Sequence, residues 1–210
     1  MRISLFLLSL LVAAEGVAEG FAWTPNLLEN PGAESGSLVG WTTDDPEVVQ
    51  ASRSQRTQSG IVEPRVGDWF FNMAAEPAGP SGETVEKRLY QKVDVSPYST
   101  AIDNSQLLAR ASSYFQTEDR PEFEGSDVGG VNLYFLDGQA EVIDRWQSIL
   151  ASPNLAWVHA RLEGTVPPGT RAIEFELRGE KAEKTFINAF FDNADLRLRI
   201  ISQEIEIDLK

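Results

Sequence analysis

The chain has 210 residues, with 32 Asp and Glu against 18 Lys and Arg, a single His and no Cys. The lack of cysteine excludes disulfide scaffolds, zinc fingers and haem-thiolate sites. A formal net charge of −14 argues against nucleic acid and anionic membranes as partners, because such binding requires a surface that displaces counterions from a polyanion. Cations and neutral ligands remain.

Residues 1–18 are predicted to be a secretory signal peptide. Arg2 precedes an apolar run over residues 3–14, and small side chains follow it. This run is too short to span a bilayer, which takes about 20 residues. We expect cleavage after Ala18, with Ala22 as the alternative site, and a secreted or periplasmic protein. The sequence has no further apolar stretch of membrane length, so membrane insertion is not expected.

Residues 19–210 are predicted to form a single all-β domain. Gly, Pro, Asn, Asp and Ser recur at short intervals and separate runs in which apolar and polar residues alternate, a pattern typical of half-buried strands. Three predicted strands have one apolar and one polar face: 85–95, 157–162 and 173–178. Two others are apolar on both faces, which predicts central strands covered on two sides: 107–115 and 131–136.

Helical signals are few. Residues 99–105 predict one turn after Pro97, and residues 142–150 have scattered apolar positions but poor helix propensity. Near the end of the chain, apolar residues occupy even positions up to Ile200 and odd positions from Ile205, which predicts a turn or bulge at 201–203. Short strands with tight turns indicate an antiparallel β-sandwich of two sheets.

Two separated motifs resemble those of galactose-binding-like jelly-roll domains. The segment 26–34, Asn-Leu-Leu-Glu-Asn-Pro-Gly-Ala-Glu, followed by Gly40-Trp41, resembles their opening turn. The segment 190–196, Phe-Phe-Asp-Asn-Ala-Asp-Leu, is similar to their closing strand. Weaker similarities lie between the two motifs, at residues 91–96, 133–137 and 166–171, so that the resemblance covers about residues 26–198.

The resemblance implies a jelly-roll β-sandwich and two possible branches of the family. One branch contains secreted carbohydrate-binding modules. The other is the glycoprotein-binding domain that follows the F-box in sugar-recognising ubiquitin-ligase subunits, although no F-box precedes it in this sequence.

The resemblance also implies a structural calcium ion, because secreted modules of this fold often hold one between the opening turn and the closing strand. The matching positions are Glu34 and Asp192 for carboxylate ligands, with Asn30, Gly32 and Asp68 for further oxygens. Calcium prefers six to eight oxygen ligands. In the alternative interpretation, Glu34 and Asp192 only accept hydrogen bonds from backbone amides.

A carbohydrate site requires an aromatic ring to stack on a sugar and polar groups for its hydroxyls. Candidates in and beside the polar loop 179–187 are Lys184, Phe186 and Asn188, and a further candidate is Trp157. By resemblance to the F-box-associated domain, this loop contributes to a glycan site. In the alternative interpretation, each of these side chains covers the edge of a sheet.

The sequence contains no motif of an enzyme. A Ser-centred nucleophile elbow, a phosphate-binding loop and a His-rich metal motif are all lacking, and the many acids make chance carboxylate pairs unavoidable. We therefore predict a secreted, non-catalytic module that binds a glycan or glycoprotein. The alternative is an extracellular adhesion or assembly protein that acts through protein contacts, for which residues 201–210 are the candidate surface.

Overall fold

The computed structural model describes residues 22–44, 46, 49–57, 59–74, 86–118, 127–151, 156–180 and 187–201. The predicted signal peptide, the candidate ligand residues Lys184 and Phe186, and all but the first residue of the segment 201–210 lie outside the described residues.

The described residues form short strands at the start of the chain and long strands afterwards. The strands are β1 Thr42–Thr43, β2 Gln50–Ser52, β3 Gln55–Arg56, β4 Ile61–Val62, β5 Phe70–Asn72, β6 Glu86–Asp94, β7 Leu107–Thr117, β8 Val128–Leu136, β9 Val142–Ala151, β10 Val158–Thr165, β11 Ala172–Glu180 and β12 Ala189–Ile200. The predicted single turn of helix is α1, Ser99–Asp103, which follows a 3-10 turn at Ser96–Tyr98. Among the described residues, no helix is both long and apolar enough to cross a bilayer.

Two antiparallel sheets of five strands pack face to face. The first sheet has the order β1-β6-β11-β8-β9, and the second has the order β10-β7-β12-β5-β2. A separate hairpin of β3 and β4 packs on the outer face of the second sheet, where Val62 contacts Phe70 and Phe190. The predicted two-sheet antiparallel sandwich is confirmed.

The core lies between the sheets and follows the predicted alternation. Phe135 and Phe175 of the first sheet and Phe115 and Phe191 of the second are fully buried in one cluster. Trp41 joins this cluster, because its ring contacts an aromatic ring from each sheet. Burial of large aromatic side chains is the main source of stability for a chain that has no disulfide.

Two local expectations need correction. Residues 142–150, which had a weak helical pattern, form the edge strand β9, where exposed Val142 and Ile143 obscure the alternation of a strand. The outer face of β7, expected to be covered, carries the half-buried side chains of Arg110 and Tyr114.

A β-bulge interrupts the closing strand β12. The pairing of β12 with β7 shifts between Asp192 and Asp195, where Asn193 adopts a left-handed conformation with φ of 51°. One extra residue in a strand changes the face to which all later side chains point. As a result, Phe191 before the bulge and Leu196 after it both face the core.

Candidate functional site

An open groove lies on the outer face of the first sheet. It has a volume of about 450 Å³ and is lined mainly by Arg88 and Lys92 of β6, Tyr134 of β8 and Glu174 of β11. The strand register explains this juxtaposition, since Glu174 pairs with Lys92 on one side and with Tyr134 on the other. Residues two apart on a strand share a face, so Arg88 lies next to this row.

Two residues of the groove lining, Arg88 and Tyr134, belong to a buried polar network around Glu176. Its carboxylate is fully buried and accepts hydrogen bonds from Arg88 Nε, from Asn132 Nδ2 at 2.7 Å and from the Tyr134 hydroxyl at 3.4 Å. Arg88 also reaches Glu174, with Nη2 3.4 Å from Oε1. A buried carboxylate is stable only with such partners, and the same contacts fix the positions of the Arg88 and Tyr134 side chains.

The charges of the groove are balanced. Burial opposes the charge of Arg88, but the hydrogen bond and charge of Glu176 outweigh it and raise the pKa of Arg88 above its usual value. Burial raises the pKa of the Tyr134 hydroxyl, and the charge of Glu176 adds to the effect, so the phenol is neutral at physiological pH. Burial likewise raises the pKa of Glu174. The groove therefore offers donors, acceptors and one neutral aromatic ring.

Asn132 has an unsatisfied polar atom at the bottom of this network. Its side chain is fully buried, and its Oδ1 has no hydrogen-bond partner in the described part of the chain. Buried acceptors are normally paired. The region below the groove is thus able to accept one more hydrogen bond.

A second candidate site lies where the opening turn meets the closing strand. Glu34 accepts hydrogen bonds from the amides of Asp68 at 3.0 Å and Trp69 at 3.2 Å. Asp192, which is fully buried, accepts hydrogen bonds from the amides of Arg65 at 2.7 Å and Val66 at 2.9 Å through Oδ2. The two carboxylates lie close together, as the predicted metal site requires, and both bind backbone amides, as the alternative interpretation requires.

Two glycines make room for these carboxylates. A Cβ atom on Gly67 would lie 2.3 Å from Glu34 Oε1, and the residue has φ of +74°. A Cβ atom on Gly32 would lie 3.3 Å from Asp192 Oδ1 and 3.6 Å from Glu34 Oε1. Only glycine fits at position 67, because both the space and the positive φ exclude a side chain.

The other two predicted metal ligands have structural contacts of their own. The side chain of Asn30 bonds to the backbone of Ser35 and Ser37, and its carbonyl oxygen accepts the indole N–H of Trp41 at 3.1 Å. Asp68 has an exposed side chain, and its backbone amide donates a hydrogen bond to Glu34. Among the described residues, no group of three or more His, Cys, Asp or Glu forms a metal site.

The carboxyl group of Asp192 has an unusually high pKa. Burial raises its pKa from 3.8 to about 6, although the amides of Val66, Arg65 and Asn193 oppose the shift, and the charge of Glu34 adds to it. Because the folded protein holds this proton more tightly than the unfolded chain, ionisation of Asp192 destabilises the fold as pH rises through about 6. Acidification from about pH 7 to pH 4 should therefore recover about 2 kcal/mol from this group.

The expected result is a difference between wild type and Asp192→Asn that changes with pH. In EDTA, the free energy of unfolding of the wild type should increase relative to that of the variant as pH falls, since asparagine does not titrate. Urea unfolding over this pH range measures the difference. A constant difference would show that Asp192 has an ordinary pKa.

The predicted ligand residues within the described part of the chain are engaged in the fold. Asn188 is buried, its Nδ2 donates to Glu118 Oε2 at 2.6 Å and its amide donates to Asp127 Oδ2 at 3.0 Å. Trp157 is half-buried and packs edge-on against Phe70, with ring centroids 6.4 Å apart. The structure does not bring these residues to the groove, and the glycan site predicted around Lys184 and Phe186 stays a prediction.

Sequence reasoning did not identify the groove residues. Arg88, Glu174 and Glu176 were expected on polar faces, and their convergence depends on the order of β6, β11 and β8 in the sheet. The available signal was that acidic and basic residues occupy outward positions of strands 85–95 and 173–178.

Sequence comparison with protein-family models and with curated proteins finds no match. The fold, however, is similar to solved structures. The carbohydrate-binding module TmCBM61, solved in complex with β-1,4-galactotriose, has a TM-score of 0.56 and 15% identity, over 82% of this chain and 98% of that chain. A cyclase from Fischerella sp. TAU has a TM-score of 0.52 and 15% identity, over 86% of this chain and all of that one.

A third similar structure is the enzymatically active domain of tailspike protein 4 of bacteriophage CBA120. Its TM-score is 0.53 with 13% identity, over 81% of this chain but only 21% of the tailspike chain. At these identities the similarity establishes the fold alone, which is the galactose-binding-like jelly-roll β-sandwich that the sequence motifs predicted.

Proposed function

We propose that this protein is a secreted or periplasmic, non-catalytic module that binds a carbohydrate in the groove of the first sheet. The observation that supports this most directly is the groove itself, about 450 Å³ in volume and open to solvent, with Tyr134 beside a fixed set of charged donors and acceptors. The similar fold of a carbohydrate-binding module in complex with β-1,4-galactotriose adds support.

The chemistry of the groove suits a neutral oligosaccharide. Sugar hydroxyls both donate and accept hydrogen bonds, and the groove provides donors in Arg88 and Lys92 and an acceptor in Glu174. The half-buried ring of Tyr134 offers a flat apolar surface for a pyranose. Two basic and two acidic side chains line the groove, and Arg88 also neutralises the buried Glu176. No positive charge is therefore left over to favour an anionic ligand there.

The carboxylates of the groove favour binding over hydrolysis. A glycosidase requires two carboxyl groups that are free to contact the substrate from opposite sides. Glu176 is enclosed by three hydrogen-bond donors beneath the surface, and one of these, Arg88, also contacts Glu174. This arrangement supports a structural role for Glu176.

Replacing Tyr134 by alanine should weaken glycan binding at least tenfold, or about 1.4 kcal/mol, because it removes the one aromatic ring among the described residues that line the groove. We would first screen the purified protein on a glycan array that includes β-1,4-galactotriose. The affinity of wild type and variant for the best oligosaccharide would then be measured by isothermal titration calorimetry.

The matched control is Trp157→Ala, which tests the site predicted around Trp157, Lys184, Phe186 and Asn188. The groove proposal requires that this variant, if folded, keeps its affinity. If Trp157→Ala lost binding and Tyr134→Ala retained it, the glycan site would lie around Trp157 and the loop 179–187, and not in the groove. An array without any reproducible hit would contradict the proposed function.

A structural calcium ion is part of the same proposal. Glu34 and Asp192 would be its carboxylate ligands, and Asn30, Gly32 and Asp68 are the proposed sources of the remaining oxygens. The fit is supported by the raised pKa of Asp192, to which the charge of Glu34 contributes, because a divalent cation would relieve this repulsion. Since no third carboxylate joins these two among the described residues, backbone carbonyl oxygens would be needed among the other ligands.

Calcium at this position should raise the melting temperature by roughly 5 to 10 °C at about a hundredfold excess over Kd. Asp192→Asn should abolish the shift. Asp195→Asn, on the same strand but ion-paired with Arg197, should retain it. Identical melting curves of the wild type in calcium and in EDTA would eliminate calcium from the proposal.

A further inference from the structure

A basic surface lies on the outer face of the second sheet, on the opposite side of the molecule from the groove. Four arginines at outward positions of three adjacent strands form it, and we call it the arginine face: Arg110, Arg161, Arg197 and Arg199. In the strand register, Arg110 of β7 lies between Glu163 of β10 and Arg197 of β12. The alternation of β-strands therefore gathers cations that are far apart in the sequence.

The arginine face has a local charge opposite to that of the whole protein. Glu163 is shared by Arg110 and Arg161, and Asp195 is bound by Arg197. Among the described residues of this face, four cations stand against these two bound carboxylates, which gives a positive surface on a chain of net charge −14. At physiological ionic strength the Debye length is about 8 Å, so a ligand in contact with this face interacts mainly with the local charge.

Arg161 and Arg197 are the accessible members of the arginine face, and its guanidinium groups retain capacity for further hydrogen bonds. The side chains of Arg161 and Arg197 are 51% and 42% exposed. Arg110 and Arg197 contact their carboxylate partners through Nε, and a guanidinium has five N–H donors in all. The planar guanidinium binds a carboxylate through two parallel hydrogen bonds.

Aromatic rings lie at both ends of the arginine face. The ring of Trp23 lies 4.2 Å from the guanidinium of Arg110 and 4.8 Å from that of Arg199. At the other end, Tyr114 and His159 stack with centroids 4.6 Å apart. The contacts of Trp23 hold Arg110 and Arg199 in place, and the rings at both ends add apolar surface of the kind that contacts sugar rings.

We infer that the arginine face binds an acidic polysaccharide, a linear chain of uronate sugars whose carboxylates pair with the guanidinium groups. The site is distinct from the groove, and its ligand class differs from that of the groove in charge. The choice of a polysaccharide over another polyanion rests on the proposed carbohydrate-binding function. The total charge of −14 repels polyanions in general, but it opposes a uronate chain, with one charge per sugar, less than the dense phosphate charge of nucleic acid.

The test measures binding of the mature protein to polygalacturonate by biolayer interferometry at low and at physiological ionic strength. Wild type should bind, with weaker binding at higher salt. The double variant Arg161→Gln/Arg197→Gln should bind about tenfold more weakly, since each surface ion pair contributes about 0.2–1 kcal/mol. The control Arg145→Gln/Arg171→Gln removes the same charge from outside the arginine face and should bind like wild type.

Three outcomes would overturn the inference: no binding of wild type to polygalacturonate or alginate, equal losses in the two double variants, or equally tight binding of a DNA duplex. A circular dichroism spectrum and melting curve for each variant confirm its fold. The test is independent of the groove, because Tyr134→Ala should leave polygalacturonate binding unchanged. Failure of the neutral-glycan experiment and failure of this one are thus separate results.

Discussion

Replacing Arg88 by methionine is expected to destabilise the protein by about 3 to 5 kcal/mol, because it leaves the fully buried carboxylate of Glu176 without its cation. Methionine preserves most of the apolar stem of arginine, so lost packing contributes little. Asn132 and Tyr134 still donate to Glu176, which places the cost near the lower end of that range. Urea unfolding monitored by tryptophan fluorescence measures the change.

The double variant Arg88→Met/Glu176→Gln distinguishes an uncompensated charge from a packing defect. A glutamine at position 176 keeps an acceptor for Asn132 Nδ2, and its own N–H group is a potential donor to the unpartnered Asn132 Oδ1. The double variant should therefore recover at least half of the lost free energy. A double variant as unstable as Arg88→Met would mean that shape, and not charge, sets the cost.

Replacing Trp41 by alanine is expected to cost about 3 to 5 kcal/mol, as is usual for a large buried aromatic residue. The indole is 8% exposed, and its ring lies 5.1 Å from that of Phe71 in the second sheet and 6.0 Å from that of Phe175 in the first. Its loss would open a cavity between the sheets. Thermal and urea unfolding should show a lower midpoint.

Trp41→Phe separates packing from hydrogen bonding at the same position. Phenylalanine retains an aromatic ring but cannot donate to the carbonyl oxygen of Asn30, which the indole reaches at 3.1 Å. We expect it to cost about 1 to 2 kcal/mol. If Trp41→Phe were as damaging as Trp41→Ala, the hydrogen bond to the opening turn would outweigh the core contacts.

The faces of the long strands could be predicted from the sequence, because alternation with a period of two depends only on local order. Leu89, Phe175 and Leu177 were expected inside the sandwich and are fully buried. The same pattern failed for β9, since an edge strand with exposed apolar residues does not alternate cleanly. The jelly-roll fold was predicted from the resemblance of the opening and closing motifs to those of known domains.

The groove could not be predicted in the same way. Parity correctly places Glu176 on the outer face, but its complete burial results from the longer side chains of Arg88 and Tyr134 on neighbouring strands. Which strands are neighbours depends on long-range pairing, and local pattern does not determine it. The juxtaposition of Glu34 and Asp192 was predictable only because the family resemblance includes the chain topology.

The bulge in β12 makes the length of that strand as important as its composition. If Asn193 were kept but β12 paired without the bulge, unbroken alternation from Phe191 onward would turn Leu196 and Leu198 towards solvent, while Arg197 and Arg199 would enter the core. A substitution that keeps the bulge affects one residue, whereas loss of the bulge reverses the whole second half of the strand. The number of residues between Phe191 and Leu196, together with the bulge, therefore determines which side chains of β12 face the core.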